Sequence, residues 1–71
     1  MKRRTLDLGV VEHGFHGSKF QLTVEVEFRN ENEIWMRRIR DGNAGDFEKF
    51  PNLGLLLETT LPEAIKYYYT H

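Results

Sequence analysis

From Phe20 to Phe28 the chain alternates without interruption: Phe20, Leu22, Val24, Val26 and Phe28 take one parity, and Gln21, Thr23, Glu25 and Glu27 the other. A period of two over nine residues specifies a β-strand with one buried and one wet face, because successive side chains leave a strand on opposite sides. Leu6, Leu8 and Val10 repeat the pattern upstream, and His13-Gly14-Phe15-His16-Gly17-Ser18 between them has the composition of a turn. Folding the two strands about Phe15 predicts the pairs Val10–Phe20, Leu8–Leu22 and Leu6–Val24, all apolar on apolar. A slip of one residue would set each of them against a polar partner.

The segment after the central strand has two readings. Asn30 could cap a helix over Ile34–Arg40, with Glu33 completing a capping box and Gly42 ending it. The strand reading makes Asn30–Asn32 a hairpin loop and pairs Phe28 with Ile34, Val26 with Met36, Glu25 with Arg37 and Thr23 with Ile39. The second is preferred, because those cross-strand pairs agree in chemical type. It yields a three-stranded antiparallel meander with one apolar face in need of a cover.

The last third supplies the cover. Asp46–Phe50 suggests a short helical turn stopped by Pro51. Residues 53–58 read as a fourth strand or, with Asn52 as cap, a short helix. Thr60-Leu61-Pro62-Glu63 has capping-box spacing, and Leu61, Ala64, Ile65 and Tyr68 fall on one helical stripe. The expected fold is therefore α+β: an antiparallel meander of three or four strands covered on one face by a short C-terminal helix. With 71 residues, no internal repeat and no linker, the chain reads as one domain spanning 1–71.

Composition narrows the function classes. Ten basic residues against eleven acidic ones leave a net charge of −1, which argues against strong nonspecific attraction to nucleic acid or anionic lipid. The halves differ mildly: residues 1–40 hold eight basic and six acidic groups, residues 41–71 two and five. No apolar run reaches membrane-spanning length, and Asp7 interrupts what would be the apolar stretch of a signal peptide, so a cytoplasmic protein is expected. There is no cysteine, hence neither disulfide nor thiolate metal site.

Several groupings that can carry chemistry have simpler explanations. Ser18 is the only serine, and His16 two residues away lacks an orienting acid, so no catalytic residues are assigned. His13 and His16 in a glycine-bounded loop read as exposed histidines rather than metal ligands, and His71 as a mobile terminus. Glu25 with Glu27, and Glu31 with Glu33, read as solvated ion-pair partners rather than an acid–base pair. The frames Gly14–Gly17 and Gly42–Gly45 read as turns rather than phosphate clamps. No cofactor is implied.

The remaining signal is Trp35, Arg37, Arg38, Ile39 and Arg40. In the meander, Trp35, Arg37 and Ile39 take the face opposite the core, and Val11 joins them by parity. Unless a bulge turns Trp35 inward, that face combines the residue types of an interface centre. The expected function is a small non-enzymatic protein-binding or regulatory module, of inhibitor or adaptor type. Its partner would be another protein or a second copy bound through Trp35, Arg37, Ile39, Arg38, Arg40 and Val11. The alternative is nucleic-acid binding by Arg37, Arg38 and Arg40 with Trp35, a weaker reading because Lys2-Arg3-Arg4 would lie at the opposite end of the sheet.

Overall fold

In the computed structural model, which describes residues 2–51, 54, 56 and 58–71, the alternating segments become three long strands, β1 (Lys2–Glu12), β2 (Lys19–Asn30) and β3 (Glu33–Arg40). Two short strands follow, β4 (Asn43–Ala44) and β5 (Glu48–Lys49), then one helix, α1 (Leu61–Thr70). All strand pairing is antiparallel, in the order β1-β2-β3-β4, with β5 also on β3. The fold is thus α+β, an antiparallel meander with a C-terminal helix on one face.

The β2–β3 register agrees with the cross-strand chemistry: Phe28 faces Ile34, Val26 faces Met36, Glu25 faces Arg37 and Thr23 faces Ile39. Glu31 and Asn32 make the turn, held by the Asn32 N–H donating to Asn30 Oδ1 at 2.8 Å. The β1–β2 register agrees only in its outer half. Leu6 faces Val24 as expected, but a bulge at Leu8–Gly9 moves the rest by one residue, so that Val11 faces Phe20 and Val10 faces Gln21. Gly9 takes φ +72°, a left-handed conformation that costs glycine little, and its N–H donates to Asp7 Oδ1. The same oxygen accepts from Gln21 Nε2 at 2.7 Å and ties the bulge to β2. The expected pairs Leu8–Leu22 and Val10–Phe20 are therefore replaced. Val11 is 4% exposed inside the core, and Val10 is 68% exposed outside it.

The fourth strand position is filled by residues other than the expected ones. Asp41 and Gly42, with φ +49° and +79°, form a two-residue hairpin turn of the mirror-image type that Asp-Gly favours, and β4 returns alongside β3. Residues 45–47 leave the ladder, and β5 rejoins it with Trp35 opposite Lys49 and Met36 opposite Glu48. The helical turn expected at Asp46–Phe50 is thus an interrupted edge strand. The alternatives for 53–58 fall largely outside the described residues.

One cluster of buried residues unites the elements: Leu6 and Val11 from β1, Leu22, Val24 and Val26 from β2, Met36 from β3, then Phe50, and Ala64 and Ile65 from α1. Thr60 caps the helix, its hydroxyl accepting from the Glu63 N–H and its carbonyl from Ala64. Leu61 and Tyr68 complete the apolar stripe against the sheet. At the far end Gly14 N–H donates to Thr70 O at 2.8 Å, tying the first hairpin loop to the helix. A Cβ at Gly14 would lie 3.3 Å from that oxygen, so the close approach favours glycine there. Overall dimensions of 34 × 29 × 16 Å describe a two-layer slab whose second sheet face lies opposite the helix. Among the described residues no helix is long and apolar enough to cross a membrane.

Candidate interaction surface

The sheet face opposite α1 is organised in rows across the strands. Arg3, Glu27, Trp35 and Lys49 make one row, Thr5, Glu25 and Arg37 the next, Asp7, Thr23, Ile39 and Ala44 the third. Strand alternation puts them on this side, and the register then joins unlike charges.

Arg3 Nη2 donates to Glu27 Oε2 at 2.7 Å, and Arg29 Nε donates to Glu27 Oε1 at 2.6 Å. Arg37 grips Glu25 through Nε at 2.8 Å and Nη2 at 2.6 Å. Arg3 and Arg37, one from each of the basic segments expected at opposite ends of the sheet, therefore meet over one pair of carboxylates, whereas Arg38 and Arg40 lie farther along β3. The neutralising partners of Arg3 and Arg37 are Glu27 and Glu25. Glu27 is only 3% exposed, so this face is not uniformly wet. The two guanidinium hydrogen bonds, Arg3 first and then Arg29, hold its carboxyl below the usual carboxylate range despite desolvation.

Aromatic side chains cap this ionic layer. Arg29 is the extra residue of a second bulge, between Phe28 and Asn30, and its guanidinium lies 4.0 Å from the centre of the Trp35 ring. A bulge is indeed present, but it lies in β2 and leaves Trp35 on the outer face, half-buried under an arginine. Phe47, from the break between β4 and β5, lies over the same layer, with Arg37 at 4.5 Å, Arg3 at 5.6 Å and Arg29 at 5.7 Å. Asn30 foremost, and then Lys49, hold the Glu33 carboxyl below its usual range, and the indole Nε1 is buried without a hydrogen-bond partner among the described residues.

The residues singled out from the sequence do not form one surface. Trp35, Arg37 and Ile39 share the open face. Arg38 lies on the other side, its guanidinium 4.6 Å over Phe20 and donating to Gln21 O at 3.3 Å. Arg40 is exposed at the end of β3, on the Arg38 side. Val11 belongs to the core, and the Leu8–Gly9 bulge puts Val10 in its place on the open face. The arginine cluster proposed for nucleic acid is thus divided by the sheet, with its tryptophan beside an arginine already paired to Glu25.

The loop histidines have structural partners. His13 Nδ1 accepts from the backbone N–H of Phe15 and His16, which engages the lone pair a metal would need. His71 stacks on Tyr67 at 4.1 Å and its backbone N–H closes the helix on Tyr67 O, so it is a cap, not the loose end expected. Among the described residues no three His, Asp or Glu side chains converge as metal ligands. Phe47, Arg29 and Arg3 are the participants that reasoning from the sequence missed. Asp41-Gly42 was the available signal: read as a hairpin turn, it brings the Gly45–Phe47 break beside β3. Comparison of the chain with models of protein families, with curated proteins and with solved structures found no match.

Proposed function

We propose that the protein is a non-enzymatic protein-interaction module that docks through the sheet face opposite α1, with a second copy of the chain as its occupant. The observation that carries this reading is Trp35, held on the open face in contact with Arg29, which also reaches Phe47, with Ile39 on the same face two rows away. Tryptophan and arginine are the residue types that dominate interface centres. Here the guanidinium groups are already fixed by Glu25 and Glu27, so little side-chain freedom is left to lose on binding.

A second copy is favoured by the distribution of charge. Arg3, Arg29 and Arg37 surround Glu25 and Glu27, and a patch that interleaves both signs can complement itself across a two-fold axis. A molecule 34 × 29 Å in its two longer dimensions also has room for the roughly 800 Å² per partner of a standard interface. An inhibitor or adaptor role towards another protein would use the same residues.

The test is Trp35→Ala, followed by light scattering and by thermal melting. The wild type is expected to be dimeric at high concentration, and the variant to lose about 2 kcal/mol or more of association. Its melting, measured where both chains are monomeric, should change little. A wild type that stays monomeric up to its solubility limit would refute the occupant. A variant with a large loss of monomer stability and unchanged association would refute the surface, assigning Trp35 to packing.

A further inference from the structure

β1 is an edge of the sheet. Among the described residues it pairs with β2 alone, so the backbone groups along its outer side have no ladder partner. Such a row of N–H and C=O groups is a template for a further strand. The bulge at Leu8–Gly9 limits where that strand can lie: residues 2–7 pair with β2 without a break, and beyond the bulge the parity is reversed.

The regular part of the edge carries both signs of charge. Arg3 and Asp7 stand four residues apart on the open-face side, with Thr5 midway between them, and all three are exposed. Arg3 is bonded to Glu27, yet its side chain remains 52% exposed. Asp7 accepts from the Gly9 N–H and from Gln21 Nε2 through the same oxygen, and no cation forms an ion pair with it among the described residues.

We propose that two copies of the chain pair through the Lys2–Leu8 edges of their β1 strands, antiparallel, about a two-fold axis at Thr5. That register sets Thr5 against Thr5 and Arg3 of each copy against Asp7 of the other, both favourable cross-strand pairs. On the helix side Arg4 and Lys2 fall opposite Leu6 and Leu8, where their aliphatic stems can lie along apolar surface. An axis at Arg4 or at Asp7 would bring like charges together, and one at Leu6 would set Arg3 against the bulge. Charge therefore selects Thr5. The end of α1 is tied to Gly14, beyond the other end of β1, so the axis carries the C-terminal ends of the two helices in opposite directions. Both helices then lie on one side of a continuous sheet, and both Trp35 faces on the other. The edge is a separate surface from the Trp35 face, and neither contact requires the other.

The chain has no cysteine, so a single introduced one reports the register. Directly opposed residues have Cβ atoms about 5 Å apart, close enough for a disulfide. Thr5→Cys under mild oxidation is expected to yield a covalent dimer much faster than Val10→Cys, which is equally solvent-accessible but outside the paired segment. The rate should be the same with Trp35→Ala added, which removes the open face from the contest. Asp7→Asn keeps the oxygen that holds the bulge and removes only the charge, so it should weaken edge association about fivefold, as read by sedimentation of the Trp35→Ala chain. Melting curves check that each variant is folded. Equal cross-linking at positions 5 and 10 would overturn the proposal, as would association unmoved by Asp7→Asn. A cross-link lost with Trp35→Ala would also overturn it, assigning the contact to the open face.

Discussion

Val10 and Val11 show how much depends on a single inserted residue. Both are β-branched and adjacent, yet one is buried and the other faces solvent, because the bulge at Leu8–Gly9 reverses parity for the rest of β1. Val11→Ala should cost about 2 kcal/mol through lost burial and the cavity left behind. Val10→Ala should stay within about 0.5 kcal/mol of wild type. Denaturant unfolding of the pair reads the register directly, and equal losses would contradict the bulge. Gly9→Ala tests its cause. No atom lies within 4 Å of the added Cβ, so the whole penalty, about 1–2 kcal/mol, must come from the positive φ.

The helix is the element that makes a core of the sheet. Ala64 and Ile65 are fully buried against it, whereas Tyr67 stays exposed. Ten residues are too few for an autonomous helix in water, so α1 and the apolar sheet face each require the other. Truncation after Thr59 should abolish cooperative melting, as followed by circular dichroism, and a truncated chain that melts cooperatively would remove α1 from the core. Thr60→Ala is the milder probe, expected to cost about 1 kcal/mol by leaving the Glu63 N–H without its cap. Bulges do comparable work on the other face. The one at Arg29 spreads a guanidinium over Trp35, and the break between β4 and β5 delivers Phe47 onto the same layer.

At the scale of the whole molecule, two layers meet opposite limits of pH. Glu27 and Glu33 are held below the usual carboxylate range, by Arg3 and by Asn30 foremost. A carboxylate lowered in the folded state adds stability above its unfolded pKa and loses it as the pH falls through the folded value. Acid should therefore loosen the outer face first, and Glu27→Gln should flatten the dependence of unfolding free energy on pH below about 4. An unaltered acid limb would contradict the ionic layer. On the helix side, burial raises the Tyr69 phenol to about 12. Its contribution is complete below the ordinary tyrosine pKa of about 10 and disappears as the pH rises towards the folded value. Absorbance titration of the native protein should thus find Tyr69 ionising late, together with Tyr68, which its hydrogen bond to Glu48 also raises, and complete ionisation by about pH 11 with the fold intact would contradict the burial of Tyr69.

What the amino-acid sequence determined by itself was everything carried by local periodicity. The alternation of Phe20–Phe28 and of Ile34–Ile39 set both faces of the two strands and their mutual register. Thr60, Pro62 and Glu63 set where the helix begins, and Leu61, Ala64, Ile65 and Tyr68 which side it buries. The same alternation put Trp35, Arg37 and Ile39 together on one face. Tertiary structure alone decided which valine of β1 is buried, since a bulge forms only when the outer pairs and the hairpin loop cannot both be met in one register. It also decided that Glu27 is enclosed and that Phe47 lies over three arginines, because those contacts join residues remote in sequence through a turn that leaves the ladder. The separation of Arg37, matched to Glu25, from Arg38, which has no carboxylate ion pair among the described residues, has the same origin. Alternation sends the two to opposite faces, and only the folded arrangement of neighbours determines which of them finds a carboxylate.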